Sequence, residues 1–337
     1  MATYRDGAAF TTTGKSTFPT AIMHLLGIHH LTAVSSRIRD NHRFYTQVLG
    51  MRLVKRSVNQ DDVSAYHLFY ADAKGSPGSD LTFFDWSVPS ERRGTRSITR
   101  TALRVAGSGT LEWWHAHLQT QGVTVATITE RDGRPVLDFE DPEGQRLALV
   151  DDGGRDEAFP WDRSPVPMPR QIRGLGPITI SVPTLGPTDA IVQQALLMRP
   201  VRQYPHPEQS RHTVHVYEMG DGGAGAELHV AVQPDLAAAG PGAGGVHHVA
   251  FRIADDSHDA WSDRLNTMNI PNSGQVDRYW FRSLYLREPN GVLFELATDG
   301  PGFGVDEDEA TLGEKVVLAP FLEPQRARII ANLKPID

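Results

Sequence analysis

The sequence has no cysteine among its 337 residues. Disulfides, iron–sulfur clusters, thiolate zinc sites and a cysteine nucleophile are therefore excluded, which leaves His, Asp and Glu as the available metal ligands. The chain also lacks any apolar run of about 18 residues, and its N-terminus lacks the apolar segment of a secretory signal. We therefore expect no membrane association and a cytoplasmic location.

An excess of positive charge is likewise missing. The chain carries 33 Lys and Arg against 41 Asp and Glu, a formal net charge of −8. This balance gives no general electrostatic reason to bind nucleic acid or an anionic membrane, and small neutral partners remain open. With 39% hydrophobic residues the chain can bury the cores of about two domains. Its 14 histidines are the first candidates for a functional site.

A weak internal repeat organises the chain. Four segments with the alternating pattern of a strand begin at Gly27, Ser97, Gly176 and Gly245. Each is followed by a helix-like segment and then by two or three strand-like runs, the last opened by a glycine-containing turn. The predicted helices cover Arg39 to Gly50, Thr110 to Gly122, Thr188 to Met198 and Asp256 to Met268. The unit is a strand, a helix and three strands.

A proline-rich stretch from Phe159 to Pro169 separates the four units two and two. The predicted segments are a flexible extension at 1–24, an N-terminal half at 25–152, a linker at 153–172, a C-terminal half at 173–300 and an extension at 301–337. Met23 is an alternative natural start. We expect a helix in the last segment, between Phe321 and Leu333.

Four βαβββ units in tandem halves resemble the vicinal oxygen chelate superfamily. The resemblance implies an α+β fold with curved mixed β-sheets around a metal cavity, over about residues 25–300. Longer strings are similar to the hydroquinone ring-cleaving dioxygenase branch. They are GIHHLTAV from Gly27, YHLFYADAKGSPGSDLTFF from Tyr66, LEWWHAHL from Leu111, GVHHVAF from Gly245, DRYWFRSLYLREPNGVLFELATDGPGF from Asp277 and DEDEATLG from Asp306.

The ligand positions of that family are filled unevenly in the four modules. The first-strand positions are His30, Arg100, Thr179 and His248, and the last-strand positions are Thr82, Ala148, His229 and Glu295. Modules one and four together offer His30, His248 and Glu295, and Thr82 is too weak a donor to be an expected ligand. Two imidazoles and one carboxylate with open positions are typical of non-haem Fe(II) oxygenases. We expect no metal in the middle modules.

The turn before the last strand gives a register. Pro289, Asn290 and Gly291 suit a three-residue hairpin loop. If Glu288 pairs with Val292, the ladder places Tyr285 opposite Glu295 and beside the metal pocket. A phenol there could donate a hydrogen bond to a substrate oxygen.

The resemblance also implies residues that line the substrate pocket: His29, Thr32, His247, Arg278 and Tyr285. His29 or His247 could accept the phenolic protons of a dihydroxylated ring, and Arg278 could hold an anionic oxygen. Simple strand alternation points His29 and His247 away from the face of His30 and His248, so a bulge or a strand-end twist is needed.

Other polar features are predicted to be structural. His67, His212 and His215 lie within or beside strands. The acidic run from Asp306 to Glu309 lacks the spacing of a calcium-binding loop and is expected to be solvated.

These features predict an Fe(II)-dependent extradiol-type dioxygenase that uses O₂ to open hydroquinone or a chloro- or methyl-substituted hydroquinone, with Mn(II) as the competing metal. One alternative is a glyoxalase-like isomerase or lyase using Zn²⁺ or Ni²⁺, although such sites usually present four protein ligands. Another is a non-enzymatic protein that sequesters an aromatic drug or quinone. A homo-oligomer is compatible with such sheets, and the sequence carries no interface signature.

Overall fold

The computed structural model describes residues 23–155 and 157–336, so the extension predicted at 1–24 falls almost entirely outside the described residues. The strands are β1 (Gly27–Ser35), β2 (Arg52–Val58), β3 (Tyr66–Ala71), β4 (Asp80–Asp85), β5 (Ser97–Val105), β6 (Thr129–Arg131), β7 (Arg134–Glu140), β8 (Arg146–Asp151), β9 (Leu175–Val182), β10 (Arg199–Pro205), β11 (Thr213–Glu218), β12 (Glu227–Val232), β13 (Val246–Ile253), β14 (Val276–Asp277), β15 (Arg282–Arg287) and β16 (Leu293–Thr298).

One helix follows the first strand of every unit. The α-helices are α1 (Ile38–Arg43), α2 (Ser108–Thr120), α3 (Leu185–Ala190), α4 (His258–Thr267) and α5 (Arg326–Asn332), and α1 and α3 continue as π-helical turns at Phe44–Val48 and Ile191–Ala195. Short 3₁₀ turns lie at Met168–Arg170, Ala224–Ala226, Asp255–Ser257, Phe303–Val305, Glu309–Thr311 and Pro320–Gln325. The fourfold order of strand, helix and three strands is confirmed. No helix of the described residues is long and apolar enough to cross a membrane.

The strands form two curved mixed sheets of eight strands each. Sheet one has the order β14-β15-β16-β13-β1-β4-β3-β2, and sheet two has the order β10-β11-β12-β9-β5-β8-β7-β6. Sheet one therefore combines the first and fourth modules, and sheet two combines the second and third. The central strands of sheet one, β1 and β13, are antiparallel to each other. Strand β4 lies parallel to β1, and β16 lies parallel to β13. Residues more than 200 positions apart in sequence thus meet at the centre of sheet one.

Apolar side chains on one side of each helix explain how the helices attach to the sheets. Trp114 and Leu111 of α2 and Trp261 and Leu265 of α4 are fully buried. All nine residues of β1 are buried, because one face of the strand packs against the core and the other lies on the concave side of the curved sheet.

The C-terminal segment closes over sheet one through a buried lysine. The Lys55 ammonium, which is fully buried, lies 2.8 Å from Asp306 Oδ1, is paired with Glu307 and donates to the Phe303 carbonyl at 3.1 Å. Trp280 Nε1 donates to Asp306 Oδ2 at 2.9 Å. A buried ammonium needs counter-charges, so the predicted solvation of the acidic run is wrong for its first two residues.

Candidate metal centre

Three side chains from three strands of sheet one converge on a buried point. Nε2 of His248 lies 2.9 Å from Glu295 Oε2, and Nε2 of His30 lies 3.2 Å from the same oxygen. The two Nε2 atoms are 3.4 Å apart. His30, His248 and Glu295 are exposed by only 2%, 4% and 0%. The structure thus brings together the three residues that the sequence analysis proposed as ligands, and they form one group that could hold a metal ion.

The spacing of these atoms suits a cation. Two donor atoms that lie about 2.1 Å from an ion and at right angles to each other are about 3 Å apart. Glu295 Oε2 is also buried without a well-formed hydrogen bond, despite its closeness to both rings. A buried carboxylate oxygen without a hydrogen bond is costly unless it meets a positive charge. The residues present therefore fit a divalent metal bound on one face of its coordination sphere.

Two β-bulges set the directions of the neighbouring histidines. Along the β1–β13 ladder, Ile28 pairs with Phe251 and His30 with Ala250, so that His29 is left unpaired. The ladder shifts again between Thr32 and Ala33, which leaves His247 unpaired on the other strand. The extra residue turns the strand locally. Of the two alternatives that strand alternation left open, a bulge or a strand-end twist, the structure has a bulge on both strands.

His29 is turned towards the adjacent ligand candidate rather than into the cavity. Its Nδ1 lies 2.9 Å from Nδ1 of His30, and its Nε2 lies 3.1 Å from the Thr298 carbonyl oxygen. Because a carbonyl only accepts, His29 Nε2 carries the proton and its Nδ1 accepts from Nδ1 of His30. The lone pair of His30 is then on Nε2, which faces Glu295. Burial and the adjacent His30 lower the pKa of His29 to about 3, which keeps its ring neutral.

His247 repeats this contact on β13. Its Nδ1 lies 2.8 Å from Nδ1 of His248, so the same arrangement of protons can direct the Nε2 lone pair of His248 towards Glu295. Burial, followed by the neighbouring His248, lowers the pKa of His247 to about 4. Partners of this kind fix the tautomer and ring orientation of metal-binding histidines.

Ser283 holds the other oxygen of the carboxylate. Its hydroxyl donates to Glu295 Oε1 at 2.5 Å, and the residue is fully buried on β15. Burial alone would raise the pKa of Glu295, but His30 and His248 hold it well below its ordinary value. The carboxyl group is therefore ionised and oriented with one oxygen free for a cation.

Replacing Ser283 by alanine is expected to weaken metal binding roughly tenfold, since loss of a hydrogen bond to a ligand typically costs 10- to 100-fold in affinity. Titration of metal-free protein with Mn(II), followed by electron paramagnetic resonance, measures this change. Ser181→Ala, which truncates a fully buried serine in sheet two, is the matched control and should leave the affinity unchanged. Equal affinities in both variants would contradict this role for Ser283.

A small cavity lies beside the three ligand candidates. Its walls include His30 and His248 and are completed by Asn59, Gln60, Asp61, His67, Phe69, Phe84, Arg278, Trp280, Phe281 and Tyr285. Tyr285 pairs with Glu295 across the β15–β16 ladder, which confirms the register predicted from the turn. Its phenol accepts from Arg278 Nε at 3.4 Å, and burial raises its pKa. The predicted pocket residues His29, Thr32 and His247 are not in the cavity wall.

His67 is the cavity residue that the sequence analysis treated as structural. Its Nε2 lies 3.0 Å from Thr82 Oγ1, which in turn lies 2.8 Å from Thr32 Oγ1. Burial, and secondarily His30 and His248, lower the pKa of His67 well below its ordinary value. The β3–β4 hairpin pairs Phe69 with Thr82 and His67 with Phe84. Strand alternation was therefore the signal that could have assigned His67 to the cavity. It places His67 on the same face as Thr82, the fourth ligand position.

Sheet two contains the counterpart of this site, with His229 in place of Glu295 and without the two histidines. Arg100 and His229 both pair with Thr179, as His30 and Glu295 both pair with Ala250. The residue equivalent to His248 is therefore two positions earlier, at Pro177, and the predicted first-strand position Thr179 is wrong. Pro177 lines a cavity of about 30 Å³ with Arg100, Ala148 and His229.

His229 takes part in an ion-pair network instead. With Asp132 and Glu227 it forms a second cluster of metal-ligand types. However, Glu227 accepts hydrogen bonds from Arg134 at 2.6 and 2.7 Å and from Arg202 at 2.8 Å, while Arg202 also donates to Asp132 at 2.9 Å. Two guanidinium groups already neutralise the two carboxylates, so a cation would have to displace them.

Comparison with known proteins agrees with this geometry. A sequence profile of the Glyoxalase/Bleomycin resistance protein/Dioxygenase superfamily matches residues 27–149 and 174–296. MhqA of Bacillus subtilis (strain 168), named provisionally as a ring-cleaving dioxygenase, is 43% identical over 318 residues, covering 94% of this chain and all of MhqA. The chlorohydroquinone/hydroquinone 1,2-dioxygenase of Sphingobium indicum is 30% identical over 315 residues, covering 91% of this chain and 95% of that enzyme.

A solved structure matches the whole fold. The crystal structure of a protein described provisionally as a dioxygenase from Bacillus subtilis superposes with a TM-score of 0.84 at 32% identity, covering 93% of this chain and 98% of that one. The chain therefore belongs to the Glyoxalase/Bleomycin resistance protein/Dioxygenase superfamily. Its full-length similarity to ring-cleaving dioxygenases makes it an enzyme of that class, not a non-enzymatic binding protein.

Proposed function

We propose that this enzyme is an Fe(II)-dependent extradiol-type dioxygenase that opens the ring of hydroquinone or of a chloro- or methyl-substituted hydroquinone. The observation that carries the proposal is the buried face of two imidazoles and one carboxylate beside a cavity lined by aromatic side chains. The hydroquinone substrate class is supported by the similarity to the Sphingobium enzyme. Mn(II) is the competing metal, because nitrogen and oxygen ligands discriminate weakly between the two ions.

His30, His248 and Glu295 would hold the metal, and His29, His247 and Ser283 would orient them. When bound, a redox-active ion on such a face supplies open positions for substrate and dioxygen and a route for electrons from the ring to oxygen. The glyoxalase-like alternative would need a fourth protein ligand. Thr82, in that position, has its hydroxyl engaged by Thr32 and His67.

Three side chains of the cavity wall would handle the substrate. Tyr285 keeps its proton and can donate it in a hydrogen bond to a phenolic or developing anionic oxygen. Arg278, 3.4 Å from that phenol, adds positive charge beside the same oxygen. His67 contacts Thr82 through Nε2, so Nδ1 is the atom that can accept a hydrogen bond from a substrate hydroxyl.

Substrate entry requires the mouth of the cavity to open. The cavity measures about 40 Å³, whereas a cavity of roughly 150 Å³ accommodates a benzene ring. The Arg278 side chain is paired at 2.9 Å with Asp61, whose side chain is 73% exposed. The backbone carbonyl of Arg278 accepts a hydrogen bond from Gln60 Nε2 at 2.8 Å. We infer that the loop at 59–61 moves away from Arg278 when the ring enters.

Oxygen uptake with anaerobically Fe(II)-loaded protein tests the proposed function. Hydroquinone, methylhydroquinone and chlorohydroquinone should each consume one O₂ per ring and yield a ring-opened chromophore, and catechol is the comparison substrate. Mn(II)-, Zn(II)- and Ni(II)-loaded samples identify the metal. Absence of uptake at full iron occupancy would overturn the proposal and direct attention to isomerase chemistry with thiol adducts.

Metal addition is also expected to stabilise the fold. A metal that binds only the native state at about one hundred times its Kd adds about 2.7 kcal/mol to the free energy of unfolding. Urea unfolding in the presence of Mn(II) and in the presence of a chelator measures this difference. It is measured for the wild type, for His248→Ala and for the control His215→Ala, which changes a histidine on β11 of sheet two. Stabilisation that persists in His248→Ala would place the metal elsewhere.

A further inference from the structure

A larger cavity lies on sheet two, away from the metal centre. Its volume is about 220 Å³, and none of His30, His248 and Glu295 takes part in its wall. The charged residues of that wall are four arginines, Arg93, Arg100, Arg131 and Arg146, and one acid, Glu208. A concave site with this excess of guanidinium groups attracts anions.

Three of these arginines are bound to acids at the rim. Arg100 pairs with Asp138 at 2.9 Å and with Glu208 at 2.7 Å. Arg131 pairs with the same Asp138 at 2.5 Å, and Arg93 pairs with Glu140 at 2.8 Å. These ion pairs hold the guanidinium groups in place around the cavity.

Arg146 is the fourth arginine, and its guanidinium forms neither an ion pair nor a hydrogen bond within the part of the chain that the structure describes. The side chain is half-buried at the start of β8. Burial, and then the proximity of Arg93, lower its pKa, whereas Glu91 and Glu208 act on it only from beyond ion-pair distance. The guanidinium N–H groups of Arg146 therefore have no acceptor among the described residues and border the cavity, where an anion can accept from them.

We propose that this cavity is a second ligand site that binds a small organic carboxylate through the guanidinium fork of Arg146. Guanidinium groups match the planar geometry of a carboxylate and can bind both of its oxygens. The remaining wall includes Val214, Leu236 and Ala237, together with the ring of Tyr204, which suit a short carbon skeleton rather than an inorganic ion. The cavity volume is below the 300–1,000 Å³ typical of pockets for drug-sized ligands, which suits a small ligand. Arg93, Arg100, Arg146 and Glu208 also border a wider depression beside the cavity.

The site is independent of the proposed ring cleavage. It lies on sheet two, beside the cavity of about 30 Å³ at the counterpart of the metal centre. The two cavities share Arg100, Arg131 and Thr179. Carboxylate binding there requires neither a metal nor the dioxygenase reaction.

Calorimetric titration of the full chain with maleate at low ionic strength tests the proposal. Maleate is expected to bind the wild type, to bind Arg146→Gln at least tenfold more weakly and to bind Arg146→Lys with intermediate affinity, since lysine keeps the charge but loses the fork. Arg328→Gln removes an exposed arginine from α5 and should bind like the wild type. Circular dichroism of each variant verifies folding.

Two further arms locate the ligand and define its chemistry. His248→Ala should retain full maleate affinity, and inorganic phosphate should bind the wild type at least tenfold more weakly than maleate. Loss of maleate binding in His248→Ala would assign the ligand to the metal centre. Equal affinity of the wild type and Arg146→Gln, absence of maleate binding, or phosphate binding as tight as maleate binding would each overturn the proposal.

Discussion

Glu295→Gln is expected to lower hydroquinone-dependent oxygen uptake by about a thousandfold or more, with most of the metal lost. The substitution preserves size and leaves an amide that Ser283 can still contact, but it removes the only negative charge of the three-residue set. Charge-assisted contacts are roughly twice as strong as neutral ones, and a thousandfold loss corresponds to about 4 kcal/mol of activation free energy.

Metal analysis by mass spectrometry and oxygen uptake at saturating hydroquinone measure both effects in the same preparation. Glu112→Gln, which makes the same change at an exposed position of α2, should match the wild type. If Glu295→Gln retained full metal content and activity, the ion would have to lie outside the proposed set.

Tyr285→Phe is expected to lower kcat by about a hundredfold while leaving metal content unchanged. The phenol is half-buried beside Arg278, with its ring centre 5.7 Å from that of His248, but it belongs to the cavity wall and not to the ligand set. Removing one preorganised donor to a developing oxyanion typically costs 10²–10³ in kcat.

Steady-state kinetics with hydroquinone, together with metal analysis, separate this effect from damage to the metal centre. Tyr204→Phe is the matched control, since Tyr204 donates to His229 at 2.9 Å in the counterpart site of sheet two. An unchanged kcat in Tyr285→Phe, or a loss of metal equal to the loss of activity, would refute a substrate-contacting role.

Local rules predicted the repeated unit of the fold, whereas the three ligand candidates came from the resemblance to the family. Alternation, helix stops and turn residues predicted the repeated unit, and the Pro-Asn-Gly turn fixed the register that places Tyr285 opposite Glu295. Strand alternation also indicated that a bulge or a strand-end twist is needed if His29 and His247 are to approach the pocket, and the ladder has a bulge at each residue. These features depend on residues that are close in sequence or on a ladder whose register is set by a turn.

The features that sequence reasoning missed depend on contacts between distant segments. Lys55 is neutralised by Asp306 and Glu307, some 250 positions away, and nothing near either segment indicates the pairing. His67 belongs to the cavity because β3 lies two strands from β1 in sheet one. The position equivalent to His248 was misplaced at Thr179 because the short strand motif of module three can be aligned two residues out of register.

A single turnover under ¹⁸O₂ distinguishes ring cleavage from simple oxidation of hydroquinone. Fe(II)-loaded protein is mixed with hydroquinone under labelled oxygen, the product aldehyde is reduced at once with borohydride to prevent exchange with water, and the product is analysed by mass spectrometry. We expect a ring-opened acid that carries both atoms of the labelled oxygen. Benzoquinone without label, formed by simple oxidation of hydroquinone, would contradict it.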